Sequence, residues 1–409
     1  MMRNWIPVAL GEIVEFVSDK VQVASLSVGN YISTENMLPD KGGVVAAEKL
    51  PASGNVNEFA CGDILFSNIR TYFKKVWYAN MNGGASPDVI IFRAKDETLI
   101  APRFLYHVLS SDEFIGSTVT ASKGTKMPRG DKEAMRGYKL MLPPPTIQCR
   151  IAGILSTYDE LIENNQRRIR ILEDMARSLY REWFVLFRYP GHESVPLVDS
   201  PLGQIPQGWK VKKLSDIAAV NRSQINAKTA PDELYYIDIA SVSPGQIDYV
   251  TTYAFTDAPG RARRVVQHGD VLWSCVRPNR RSHALVMHPE TNTIASTGFA
   301  VLTAKTVPFT FLYFATTTDD FVSYLTNNAS GAAYPAVTAT TFEKAELLIP
   351  SSALLERFGE ATITMTEQAH ILKRQTENLR RTRDLLLPRL LSGQIDIEAT
   401  EILIEEAIA

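Results

Sequence analysis

Gly62-Asp63-Ile64-Leu65-Phe66-Ser67 returns, 207 residues later, as Gly269-Asp270-Val271-Leu272-Trp273-Ser274. At the same shift Arg70 answers to Arg277, Phe92 to Phe299, and Phe104-Leu105-Tyr106 to Phe311-Leu312-Tyr313. Gly124 and Gly331, Pro128 and Pro335, Pro143 and Pro350, and Arg150 and Arg357 continue the match. The reading is of a gap-free duplication over more than a hundred residues. A repeat this long is a duplicated domain, since solenoid repeats have periods of about 20–50 residues. Two similar but diverged halves suggest a target with two similar but non-identical halves.

The 409 residues suit two halves of roughly 200, each large enough for its own core. With 45% hydrophobic and 22% charged residues the composition is that of a globular protein. A net charge of -2 excludes a globally basic nucleic-acid binder but not local basic patches. Cys61, Cys149 and Cys275 form no CxxC pair, which suits a reducing cytoplasmic setting. No run of about 18 apolar residues and no signal-peptide core is present, so no membrane contact is expected.

The pattern predicts a mixed α/β (α+β) fold: two tandem domains, each followed by a long helix. The predicted parts are residues 1–143, a helix over 144–187, an extended linker at 188–208, residues 209–349, a helix over 350–393 and a tail at 394–409. Asp63 to Ser67, Val89 to Arg93 and their copies read as buried strands. Phe104 to Phe114 and Phe311 to Leu325 read as amphipathic helices. The tail is acidic and could add a strand to the first domain.

Proline and Thr146 or Ser351-Ser352 mark the starts of the long helices. The first carries a stripe of Ile147, Ile151, Ile154, Tyr158, Leu161 and Asn165, then, after a stutter, Ile169, Leu172, Ala176, Leu179 and Trp183. The second repeats it as Leu354, Phe358, Ala361, Met365, Gln368, Leu372, Thr376, Leu379, Arg383, Leu386 and Leu390. About 40 residues make a rod of roughly 60 Å. So narrow a stripe is unstable alone, and the expected partner is the other copy, in a coiled-coil pair. The alternative is a helix lying along its own domain. Asn165, Gln368, Thr376 and Arg383 would fix the register of a pair.

No catalytic constellation is found: no phosphate loop, GxGxxG, HExxH or GxSxG, and no methyltransferase motif. His268, His283 and His288 lie nearest together among the six histidines but have no ligand spacing, so no metal site is read. Basic residues cluster instead. Arg70, Lys74 and Lys75 follow the first Gly-Asp strand, and Arg277, Arg280 and Arg281 follow its copy. Lys123, Lys126 and Arg129 sit in a Gly loop, and Arg261, Arg263 and Arg264 precede the second Gly-Asp strand. Such residues on loops suit phosphate contacts and guanine edges, although solvated charge is the ordinary explanation. The second Gly loop, Ala329 to Ala336, has lost its charges. The Gly-Asp motif itself reads as a turn and its cap.

The layout resembles the specificity subunit of type I restriction-modification systems. The resemblance rests on Ile205-Pro206-Gln207-Gly208-Trp209, the Gly-Asp strands with a following Arg, and the two Gly loops. The Pro-rich helix entry, Ser178-Leu-Tyr-Arg-Glu-Trp-Phe and Leu385-Leu-Leu-Pro-Arg-Leu-Leu-Ser-Gly393 add to it. Departures include Ile147-Gln148 and Leu354-Leu355 where the family has a Glu-Gln pair. The resemblance implies two target recognition domains, each reading half of a bipartite asymmetric site in double-stranded DNA. It implies a paired-helix spacer on which two modification subunits dock, with restriction subunits added. S-adenosylmethionine would belong to the modification subunits, ATP and Mg to the restriction subunits, and no cofactor or catalysis to this chain. A standalone methyltransferase or endonuclease carrying the same module, or an adaptor that never touches DNA, are the competing readings.

Overall fold

The computed structural model describes residues 5–395 and Ile397. The tail and its expected strand lie almost wholly outside these residues. The chain forms two compact units: one runs to Asn164 and resumes at Thr376, and the other runs from Asn165 to Gln375.

In the first unit, an antiparallel sheet orders Val14–Phe16, Val89–Ala94, Ile64–Ser67 and Val76–Tyr78. The Gly-Asp strand is central and buried on both faces, hence its unbroken apolar run. Successive side chains point to opposite faces, so Ile64 and Phe66 enter one core and Leu65 another. Helices Pro102–Leu109 and Asp112–Thr120 cover the first core through Phe104 and Phe114. A smaller sheet closes the second through Phe59, Ala85 and Ile32.

The second unit repeats this order with Ala218–Val220, Phe299–Ala304, Val271–Ser274 and His283–Leu285. The 207-residue shift, however, is not unbroken. Ile64 pairs with Phe92, whereas Val271 pairs with Leu302. Phe92 therefore answers to Leu302, a shift of 210, and not to Phe299. Val14 pairs with Ala94 and Ala218 with Ala304, which makes the N-terminal shift 204. Later elements, such as Lys139–Leu142 and Glu346–Ile349, return to 207. Compensating three-residue differences in the connecting loops hide these offsets from an ungapped comparison.

The small sheets diverge further. Both share a three-strand core, Asn55–Phe59, Gly83–Ala85 and Tyr31–Ile32 in one copy, Ala262–Val265, Thr293–Ser296 and Glu233–Ile237 in the other. The first adds Lys20–Gln22 beside Asn55–Phe59; the second adds Thr251–Ala254 beside Glu233–Ile237, at the opposite edge.

Each single helix expected after these strands is two. Ser111 accepts the Phe114 N–H, and Thr318 the Phe321 N–H, so each caps a new helix where one was expected to continue. The linker is not simply extended: Leu197–Ser200 and Gly203–Pro206 form a hairpin, with Gly203 at φ 93°. Trp209 packs on Phe184 and Tyr189 on Trp209, and with Ile205 they join the second unit's core.

The long helices span Pro145–Tyr180, continued by a wider turn to Val185, and Ser352–Leu391. Pro145 opens the first helix in place of a Thr146 cap, and Ser351 Oγ accepts the Leu354 N–H at the second. The buried stripe runs Ile151, Leu155, Tyr158, Ile162, Asn165, Ile169, Leu172, Ala176 and Leu179, alternating steps of 4 and 3 with no stutter. Ile154 and Leu161 are 37% and 47% exposed, while Leu155 and Ile162 are 0% and 6%. In the second helix, Thr362 and Ala369 replace the expected Ala361 and Gln368; Gln368 is exposed and cannot set register. Phe358 and Leu372 are buried; Met365, Leu379 and Leu386 are partly so.

Within the first unit, Asp159 meets Arg383 at 2.6 Å, and Ile151 and Leu155 share a core with Leu387 and Leu390. Within the second, Glu173 meets Lys373 at 2.6 Å and Phe184 packs on Phe358. Residue numbers rise on one segment as they fall on the other, so the segments in each unit are antiparallel. Each segment also packs on the domain of its unit, 145–164 and 376–391 on the first domain and 165–185 and 352–375 on the second, so each long helix lies along its own domain for only about half of its length.

Candidate DNA interface

The same built turn leads into both Gly-Asp strands. Asp63 accepts the Ala60 N–H at 2.7 Å and Asp270 the Gln267 N–H at 2.8 Å, while Gly62 and Gly269 take φ of 95° and 83°. Asp63 is buried and held by both arms of the Arg93 guanidinium, at 2.8 and 2.7 Å. Thr303 takes Arg93's place opposite Asp270, donating its hydroxyl at 2.7 Å. With only neutral donors, burial pushes the Asp270 carboxyl up. The motif is structural.

Beyond it, Arg70 and Lys74 bracket the turn Thr71–Phe73 in the left-handed region, at φ 50° and 53°. Arg277 and Arg281 bracket Pro278–Arg280 in the same way, at 52° and 55°. Left-handed backbone at non-glycine residues costs about 1 kcal/mol or more each, so the surroundings must hold it. Arg70 does so by donating its backbone N–H to Pro128 at 2.8 Å and its guanidinium to the Lys126 carbonyl at 3.4 Å. Arg277 does the same with Pro335 and Ala333, at 2.7 and 3.2 Å. Lys74 pairs with Asp112, and Arg281 with Asp319. The recurrence of these four residues thus has a structural cause: they lash each turn to its Gly loop and the neighbouring helix.

The exposed tips differ. Tyr72, Phe73 and Met127 project from the first copy. Their counterparts are Asn279, Arg280 and Tyr334, with Arg277 stacked 4.6 Å over the Tyr334 ring. Aromatic turn and cationic loop in one copy become cationic turn and aromatic loop in the other. Sequence reasoning missed Tyr72, Phe73, Met127, Asn279 and Tyr334. Their place between the two bracketing cations, or next to the loop proline, is the signal that marks them.

The remaining sequence candidates divide. Lys126 is exposed and makes no ion pair among the described residues. Lys123 pairs with Asp131, and Arg129 with Asp88 at 2.8 Å, both at the rim of the first Gly loop. Lys75 points away to the Thr34 carbonyl at 2.6 Å, and burial lowers its pKa. Arg261 is exposed, Arg263 lies 5.2 Å over Phe255, and the Nε of Arg264 is buried without a hydrogen-bond partner. These three lie at the edge strand Ala262–Val265, separate in sequence and element from the turn.

The histidines do not group as expected. His283 is buried beside Trp273 and Tyr313, and burial pushes its pKa down to about 4. His268 and His288 meet Glu367 of the C-terminal helix. No helix among the described residues is long and apolar enough to cross a membrane. The three cysteines are free.

This duplicated α/β architecture with long paired helices is matched among known proteins. Residues 2–174 match the family model for the type I restriction modification DNA specificity domain. The specificity subunit of the HindI type I restriction enzyme of Haemophilus influenzae is 22% identical, covering 96% of this chain and 100% of the relative. That of the MjaIX enzyme of Methanocaldococcus jannaschii is also 22% identical, covering 73% of this chain and 70% of the relative. The crystal structure of a type I restriction-modification S subunit from M. genitalium shares the fold. It has a TM-score of 0.57 and 16% identity, and covers 95% of this chain and 96% of that one. The chain is thus similar to type I restriction-modification specificity subunits over nearly its whole length, and its residues 2–174 carry their DNA specificity domain.

Proposed function

We propose that this chain is the DNA-reading subunit of a type I restriction-modification complex and carries no catalysis of its own. One observation carries the reading: the same strained turn and Gly loop is built twice on the same backbone bonds, while its exposed tips and the charges at the loop's rim change. A fixed mount with variable tips suits two readers of different half-sites in double-stranded DNA. Tyr72, Phe73, Lys126 and Met127 would contact one half, and Asn279, Arg280 and Tyr334 the other. Lys123, Arg129 and Arg261 would contact phosphates, while Arg70, Lys74, Arg277 and Arg281 act first as the mount.

The helices act as the spacer, at about 54 and 60 Å by 1.5 Å per residue over their 36 and 40 residues. Half-sites one DNA turn apart are about 34 Å centre to centre, within that reach. Ile154, Leu161, Ile171, Met175, Ile371 and Leu385 stay exposed on these helices, apolar surface suited to two modification subunits. Those partners would bring S-adenosylmethionine, and restriction subunits would bring ATP and Mg. The complex would work in the cytoplasm, where its DNA is.

The test is binding of the complex with its modification subunit to duplex DNA across a salt series. Affinity should fall steeply and linearly in log–log form, since phosphate contacts release counterions. A flat salt response, or methyl transfer by the chain alone, would refute the proposal.

A further inference from the structure

We propose that His268, His288 and Glu367 form a binding site for one divalent transition-metal ion, with zinc the best fit, tying two loops of the second domain to the C-terminal helix. The three side chains offer ligand atoms that all lie within 4.8 Å of one another. His288 Nε2 is 2.8 Å from Glu367 Oε2, and His268 Nε2 is 3.6 Å from Glu367 Oε1. Tetrahedral zinc with bonds of about 2.0–2.1 Å needs donors roughly 3.4 Å apart. The two His–Glu separations straddle that value, so small rotations of exposed or partly exposed side chains close the site.

An ion pair alone accounts poorly for this cluster. His268 and His288 rings lie 4.4 Å apart, and His370 lies 5.4 Å from His288. One carboxylate cannot neutralise three imidazolium rings, and charging more than one sets like charges side by side. Converging neutral rings are lone-pair donors, and imidazole with carboxylate selects zinc and its neighbours over magnesium or calcium. Glu367 and His370 are three apart on one helix and so share a face, the Glu-x-x-His spacing that helical metal sites use. His370 can thus supply the fourth position, or water can fill it.

Loading moves protons in a defined way. The carboxylate only accepts, so His288 Nε2–H donates to Glu367 before the metal enters. His268 Nδ1 accepts the His288 backbone N–H at 3.3 Å, which places that ring's proton on Nε2. The ion takes both Nε2 lone pairs, each ring proton moves to Nδ1, and the long 3.3 Å hydrogen bond is given up.

The experiment titrates zinc into the full-length, chelator-stripped chain, followed by calorimetry, native mass spectrometry and thermal unfolding. One equivalent should bind, raise Tm, and be lost with chelator. His288→Ala and the isosteric Glu367→Gln should each weaken this binding by at least about tenfold, as even outer-sphere ligand changes do. His192→Ala, outside the cluster, should bind as wild type does. His288 is exposed, so its removal leaves the core intact, and circular dichroism checks the fold. Wild type binding no zinc, or binding it no more tightly than the His288→Ala/Glu367→Gln double variant, would overturn the proposal.

Discussion

Leu155→Ala should destabilise the first unit by about 3–4 kcal/mol, while Ile154→Ala, one residue away, should change stability by less than about 1 kcal/mol. The larger figure starts from full burial of Leu155. Three methylene equivalents at about 0.8 kcal/mol each give about 2.4 kcal/mol, and the cavity left in the core that Leu155 shares with Leu109, Ile151 and Leu387 adds the rest. Ile154 is 37% exposed, and alanine's better helix propensity offsets much of its lost contact. The same contrast should hold for Ile162→Ala against Leu161→Ala. Urea unfolding by circular dichroism, with hydrogen exchange over residues 145–164 to localise the loss, measures all four. If Ile154→Ala costs as much as Leu155→Ala, the stripe steps through 154 and 161, and the continuous heptad is wrong.

Two further outcomes follow from buried polar groups. Arg93→Ala strands the buried Asp63 carboxylate and should cost about 3 kcal/mol, with Arg93→Thr recovering part of it by the hydroxyl bond Thr303 makes to Asp270; equal losses in urea unfolding would contradict this. His107, whose pKa burial pushes down to about 3, stays neutral in the fold but charges near pH 6.5 when unfolded. The unfolded state therefore binds the extra proton, and stability falls as pH drops from about 6.5 toward 3, by at most about 1.4 kcal/mol per pH unit. Asp159, raised by burial, titrates in the opposite sense and offsets part of this. His107→Gln should flatten the acid limb; an unchanged limb would show that His107 is charged in the fold.

The Gly-Asp strands, the duplicated domains and both long helices were legible because each is a local pattern: an apolar run, a repeat, a periodic stripe. The stripe's register was not, since Ile154-Leu155 and Leu161-Ile162 are adjacent apolar pairs and hydrophobicity cannot choose within them. The 204- and 210-residue offsets were hidden because their loop differences cancel. Arg70, Lys74, Arg277 and Arg281 were picked out by recurrence, yet what recurs is the mount; the tips diverge, and divergence leaves no repeat to find. The histidine cluster draws on Glu367, 79 residues beyond His288, a separation no spacing rule covers.

The central claim is that each half-site is read by the tips of one copy. Its most direct test is methylome sequencing of a host carrying the chain with its modification subunit, compared with the Asn279→Ala/Arg280→Ala variant. The expected result is a bipartite asymmetric motif in which one half relaxes while the other half and the gap stay fixed. Relaxation of both halves together, or an unchanged motif, would contradict it.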